Sequence, residues 1–105
     1  MKRLPDGRIC AVWNPVPIYN GRTELPGGIW TGGRTPMVLA LSGDNGKTFT
    51  PPVVLENDDS RGFCYCAIHP VSDGLLLAYC AGGPEDGSCL CRLRICKIRW
   101  EELAL

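Results

Sequence analysis

Apolar positions along this chain come in short runs broken by Gly, Pro, Asp and Asn, with no stretch that repeats at helical spacing. Six runs stand out: 8–14 (RICAVWN), 36–42 (PMVLALS), 49–56 (FTPPVVLE), 64–70 (CYCAIHP), 75–80 (LLLAYC) and 89–98 (CLCRLRICKI). Each is rich in β-branched, aromatic or leucine side chains and bounded by turn residues, which predicts six strands. Only the segment from Trp100 onward (WEELAL) fits a helical turn, and it is too short to be stable alone. The pattern therefore predicts an all-β protein.

Two connections carry information. Asn45-Gly46 lies between the second and third runs, and Asn-Gly between apolar runs signals a hairpin because both residues tolerate positive φ. Asp44 is placed to accept backbone N–H groups across that turn. By contrast, the connection 15–35 (PVPIYNGRTELPGGIWTGGRT) is long, rich in Pro and Gly and without periodicity, which marks it as a candidate site loop. An internal repeat is also visible. PDGRICAVW from Pro5 aligns with SDGLLLAYC from Ser72, pairing Asp6 with Asp73, Gly7 with Gly74 and Ala11 with Ala78. Self-similarity at this spacing marks stacked or radial repeats, and among all-β architectures a β-propeller fits best, since a four-stranded blade covers its faces only by packing on neighbours.

Length and charge narrow the reading. A chain of 105 residues makes at most one domain with a small core. Eleven basic and eleven acidic residues cancel, so no overall field draws it to nucleic acid or to an anionic membrane. No apolar run has the length of a membrane span, and the first ten residues lack the apolar centre of a signal peptide, so a cytoplasmic location is expected. Seven cysteines cannot all pair. Cys64 with Cys66, and Cys89 with Cys91, are each two apart, which on a strand puts both thiols on one face. The favoured reading is free thiols serving as small buried hydrophobes in a reducing compartment, with no metal and no cofactor. A four-thiolate metal or redox centre is the sharper alternative, although structural zinc pairs are usually spaced more widely on turns.

The hairpin segment then acquires a second meaning. Ser42-x-Asp44-x-Gly46-x-Thr48-Phe49 matches the Asp-box, S/T-x-D-x-G-x-T-W/F, with Phe in place of the commoner Trp. With GRTPMVLALSGDNGKTF before GFCYCAIHPVSDGLLLAYC, and AVWN near the start, the chain resembles the closing portion of the sialidase (neuraminidase) superfamily, six-bladed propellers with BNR/Asp-box repeats. The resemblance runs from Asp6 to about Trp100 and corresponds to the last third of such a protein. It implies an incomplete sialidase-like propeller of about two blades, with 1–57 an incomplete blade carrying the Asp-box and 58–105 an incomplete terminal blade. On that register the first blade lacks its inner strand and the second its outer strand, as in a truncated frame, a gene fragment or one part of an assembly.

The resemblance also implies a chemistry. Arg34 falls where these enzymes place one arginine of the triad that clamps the sialic acid carboxylate, a task suited to the planar fork of a guanidinium. Tyr65 falls at the nucleophilic tyrosine. A neutral phenol approaches the carboxylate-bearing anomeric carbon without the repulsion an anionic nucleophile meets, and sialidases are the tyrosine exception to the two-carboxylate rule of retaining glycosidases. The glutamate that deprotonates the tyrosine, the aspartate acid/base and two further arginines have no counterpart in this sequence. Glu24 matches none of these positions, and His69, at a strand end, reads as structural. The expectation is a sialidase-like glycoside hydrolase segment that recognises sialic acid or a similar carboxylated sugar and is inactive as an isolated chain. The alternative is a non-catalytic β-module that binds carbohydrate or oligomerises through apolar sheet faces. Either way, uncovered faces and edge strands predict self-association or docking onto missing blades.

Overall fold

The computed structural model describes residues 1–15, 34–58 and 60–103. Among these residues, seven antiparallel strands form two sheets. The first sheet contains β1 (Lys2–Arg3), β2 (Ile9–Trp13), β3 (Met37–Ser42) and β4 (Val53–Glu56), in that order, and the second contains β5 (Cys64–Val71), β6 (Gly74–Cys80) and β7 (Leu93–Arg99). Short 3-10 turns at Pro84–Asp86, Cys89–Cys91 and Trp100–Leu103 are the other regular elements among the described residues. The expected all-β class holds. No helix of the described residues is long and apolar enough to cross a membrane.

Three expectations are corrected. The first sheet does not lack a strand at its β2 edge, because the two residues of β1 pair with Ile9 and Cys10. A two-residue strand of two basic residues carries no hydrophobic pattern from which to read it. β4 begins at Val53 and not at residue 49, since Pro51 and Pro52 have no N–H to give to the ladder. The last strand begins at Leu93. Ahead of it, the Ser88 hydroxyl accepts the Leu90 N–H at 3.1 Å and caps a 3-10 turn, while the Gly87 φ of 78° bends the chain into it. Cys89 and Cys91 therefore lie on a turn and are not a same-face strand pair.

Both strands of the internal repeat, β2 and β6, stand second in their sheets. Their aligned glycines are needed for different reasons. Gly7 has φ 92°, a left-handed turn conformation that favours glycine. Gly74 lies in a strand, and a Cβ there would come within 2.1 Å of the Ile98 carbonyl oxygen on β7.

The two sheets share one core. Register places Cys10 opposite Leu41 and Val12 opposite Leu39, so these side chains occupy one face of the first sheet. They meet Leu75, Leu77, Tyr79 and Ile98 from the second, together with Leu4, Met37, Phe63 and Leu103. Each fully buried leucine contributes about 1.5–3 kcal/mol from removal of apolar surface from water. A polar link between β4, β6 and β7 crosses this interface. Glu56, at the end of β4, accepts the Tyr79 hydroxyl at 2.6 Å and an Arg94 N–H at 2.8 Å through the same Oε2. Tyr79 is buried, and its ring packs edge-on to Phe63 with centroids 6.3 Å apart. Burial and the Glu56 carboxylate both push the ionisation of Tyr79 upward.

Candidate functional site

The Asp-box residues close on themselves. The Asp44 carboxylate accepts the Ser42 hydroxyl and the Thr48 N–H through Oδ1, both at 2.8 Å, and the Thr48 hydroxyl through Oδ2 at 2.5 Å. Ser42 Oγ in turn accepts the Gly46 N–H at 2.9 Å. Asn45 and Gly46, at φ 64° and 90°, supply the left-handed pair of the turn. The Thr48 hydroxyl, then the Thr48 and Ser42 donors, hold the Asp44 carboxyl down to about 2. Asn45 also accepts an N–H of Arg3 at 2.6 Å, tying the box to β1. Phe49, which ends the motif, stays partly exposed and lines an apolar groove with Met1, Trp13 and Pro52. All the polar groups of the motif are occupied with one another, so the box shapes the β3–β4 connection and offers no reactive atom.

Arg34 and Tyr65 line one cleft of about 260 Å³ between the sheets, at the end where β2 finishes and β3 and β5 begin. Asn14, Val12, Trp13 and Cys66 complete much of its wall. The Arg34 guanidinium lies 4.9 Å from the centroid of the Tyr65 ring and donates to Cys64 Sγ at 3.0 Å. Burial pushes the Cys64 thiol up to about 11 against the opposing pull of Arg34, so the sulfur is neutral at physiological pH. Arg34 itself is pushed upward, first by the bond to Cys64 and then by Tyr65. No carboxylate of the described residues pairs with Arg34. Among the described residues its positive charge is held in place by a thiol and a ring, neither of which neutralises it.

Tyr65 has an unusual backbone. Its φ is 56°, and the β5–β6 register slips between the Cys64–Cys80 and Ala67–Ala78 pairs. Tyr65 and Cys66 thus form a β-bulge opposite Tyr79. A non-glycine residue in this left-handed region costs roughly 1–2 kcal/mol, and bulges of this kind re-aim side chains. Here the bulge turns Tyr65 outward to 70% exposure, over Arg34. It also breaks the same-face relation expected for Cys64 and Cys66: Cys64 contacts Arg34, while Cys66 packs against the core.

Asn14 escaped the sequence reading. Its side-chain amide donates to the carbonyls of Pro36 and Phe63 at 2.9 and 3.1 Å, joining the chain just after β2 to the residues that lead into β3 and β5. The only hint in sequence was its place in the AVWN stretch. His69 lies further along β5, opposite Leu76 and exposed, and is not part of the cleft. Glu24 and most of the 15–35 connection lie outside the described residues. All seven cysteines are free, and no group of three or more His, Cys, Asp or Glu among the described residues is arranged to hold a metal ion. No protein-family model matches the chain, and no curated protein or solved structure matches it either.

Proposed function

We propose that the Arg34–Tyr65 cleft recognises a sugar carboxylate, as the corresponding part of a sialidase-like propeller does. The observation that carries this reading is the Arg34 guanidinium, which faces the cleft 4.9 Å from the Tyr65 ring with no described carboxylate to neutralise it. A fork of N–H donors of this kind binds a carboxylate through two parallel bonds. The strain at Tyr65 supports the same reading, because backbone outliers in bulges cluster where a side chain must be presented to a ligand. In the family reaction the Tyr65 hydroxyl would attack the anomeric carbon and form a tyrosyl–sugar bond as the aglycone leaves. That step needs a base for the phenol and an acid for the leaving group, and the described residues lining the cleft include neither Asp nor Glu. Binding without turnover is accordingly the activity we assign to these residues.

The test is titration of the isotopically labelled full chain with N-acetylneuraminic acid, followed by NMR, alongside a fluorogenic sialoside assay. Shifts are expected around Arg34, Tyr65 and Asn14. Arg34→Lys should weaken binding about tenfold or more, and Tyr65→Phe should leave it within about twofold. A folded Arg34→Lys variant that binds as well as the parent overturns the assignment.

A second reading is self-association, favoured by apolar side chains on the outer faces. Val54, opposite Val38, is 56% exposed in the first sheet, and Leu93 and Ile95 are 68% and 65% exposed in the second. Because the sheets pack through their inner faces, these patches lie on opposite sides of the pair. A second copy docking head to tail would cover one patch with the other, as neighbouring blades do. Sedimentation velocity over a wide concentration range should show concentration-dependent association, and a stable monomer throughout would refute it.

A further inference from the structure

A second cleft lies at the opposite end of the sheet pair, and its chemistry differs from that of the first. It has a volume of about 380 Å³ and is lined by Pro5, Asp6 and Arg8 from the turn before β2, Val71 and Ser72 from the β5–β6 turn, and Trp100 after β7. That volume falls in the range of small-molecule sites, about 300–1,000 Å³.

Its side chains are fixed in place. The Trp100 indole N–H donates to the Ser72 carbonyl at 3.1 Å, and its backbone N–H to the Asp73 carbonyl at 3.2 Å. Three residues on, Leu103 is buried in the core and anchors the same 3-10 turn. With its N–H occupied, Trp100 offers the cleft the apolar surface of its ring. Asp6 receives the Arg8 backbone N–H at 3.0 Å through Oδ1 and the Arg8 Nε–H at 2.8 Å through Oδ2. The backbone bond is the leading cause that holds the Asp6 carboxyl below its usual range. The two terminal nitrogens of Arg8 have no partner among the described residues, and each Asp6 oxygen has a second lone pair to offer. Fixed hydrogen-bond donors and acceptors thus stand beside an aromatic surface.

Charge decides the class of ligand. Arg8 is neutralised by Asp6 at 2.8 Å, and the nearby Asp73 is paired with Lys97 at 2.7 Å. An anion entering this cleft would have to compete with Asp6 for Arg8, whereas Arg34 in the first cleft has no such competitor among the described residues. A neutral ligand with one apolar face and a rim of hydroxyls matches what is offered: C–H groups on the indole ring, and hydroxyls on Arg8 and Asp6. We infer that the cleft between Trp100 and the Asp6–Arg8 pair is a binding site for a neutral pyranose sugar. β2 and the residues flanking it separate Arg8 from Asn14, a span of about 20 Å at strand rise, so this site is independent of the proposed carboxylate site and does not rest on it.

The experiment is an NMR titration of the full chain with the methyl glycosides of glucose, galactose and N-acetylglucosamine, each to tens of millimolar, on the parent protein and on Arg8→Met and Trp100→Ala. Saturable shifts are expected for the Trp100 indole N–H and the amides of Asp6, Arg8, Ser72 and Asp73 with at least one glycoside. Affinity should fall about tenfold or more in either variant and stay unchanged in Arg34→Lys. Should Trp100→Ala fail to fold, Arg8→Met, a change at a partly exposed side chain, carries the test. No saturable shift at these residues with any of the three glycosides overturns the inference, as does undiminished affinity in folded Arg8→Met. Tighter binding of N-acetylneuraminic acid here than of every neutral glycoside overturns the argument from charge, and leaves the Arg34 assignment to be judged by its own shifts.

Discussion

Tyr79→Phe isolates the hydroxyl bond that ties β6 to the end of β4 across the core. The ring stays, with its edge-on contact to Phe63, and only the hydroxyl at 2.6 Å from Glu56 Oε2 is lost. A hydrogen bond to a charged group contributes about 1.5–3 kcal/mol net. Glu56 keeps Arg94 at 2.8 Å, and its side chain is 16% exposed, so water partly compensates the carboxylate. The lower end applies, about 1.5 kcal/mol, or roughly tenfold in the folding equilibrium. For a chain of this size that lowers Tm by about 6–12 °C. Thermal melts followed by circular dichroism at pH 7 measure it, and the same change made in a Glu56→Gln background should cost less than half as much. The pH dependence has a definite sign. Folding raises the ionisation of Tyr79 above that of a free phenol near 10, so its contribution is complete below about pH 10 and is lost as pH rises beyond. The gap between parent and variant should close in that alkaline window. A Tm within about 1 °C of the parent at pH 7, or costs that simply add in the double variant, would refute the inter-sheet bond.

Three other outcomes are expected. Asp44→Ala lowers Tm at neutral pH without changing ligand affinity per folded molecule; because folding depresses the Asp44 carboxyl to about 2, its contribution is present above pH 4 and lost toward pH 2, where the two melting curves should converge. Equal Tm values at pH 7 count against the self-bonded turn. Tyr65→Gly should be more stable than Tyr65→Ala by about 1 kcal/mol, since only alanine retains the left-handed penalty; the opposite order in denaturant melts shows that φ is not positive there in solution. Iodoacetamide followed by mass spectrometry should modify exposed Cys91 first and Cys10 last, because Cys10 is fully buried and its thiol is pushed up to about 11 by that burial; equal rates at the two positions would contradict the core assignment.

Most strands were readable because their physics is local. Val38 to Leu41 and Leu75 to Leu77 are apolar runs between turn residues, and Asn45-Gly46 fixes its own hairpin. What was missed depended on partners distant in sequence. β1 is a strand only because β2 offers it an edge, and nothing in two basic residues announces that. The Cys89–Cys91 turn looks like strand by composition, yet Asp86, which accepts the Gly83 N–H and pairs with Arg92 at 2.8 Å, closes the loop ahead of Leu93. Gly74 shows the converse: the repeat aligns it with the turn glycine Gly7, whereas the close approach of β7 is what excludes a side chain.

The candidate sites divide in the same way. Arg34 and Tyr65 stand out in the order of motifs along the chain, and their common cleft follows from two sheets packed face to face, with Asn14 joining the ends of both. The bulge that turns Tyr65 outward had no sequence signal, since Cys-Tyr-Cys reads as plain alternation and glycine is the residue that would announce a left-handed position. That very mismatch gives the tyrosine its weight. A strand serving only to pack would lower its energy by restoring alternation or by placing glycine at residue 65, whereas a strand that must hold a phenol over Arg34 retains a penalty of about 1–2 kcal/mol. The Trp100 cleft carries no comparable strain because its ligands-to-be are anchored by ordinary turns and one ion pair. Strain at one end and a relaxed, charge-balanced surface at the other fit the carboxylate-binding and saccharide-binding roles proposed for them.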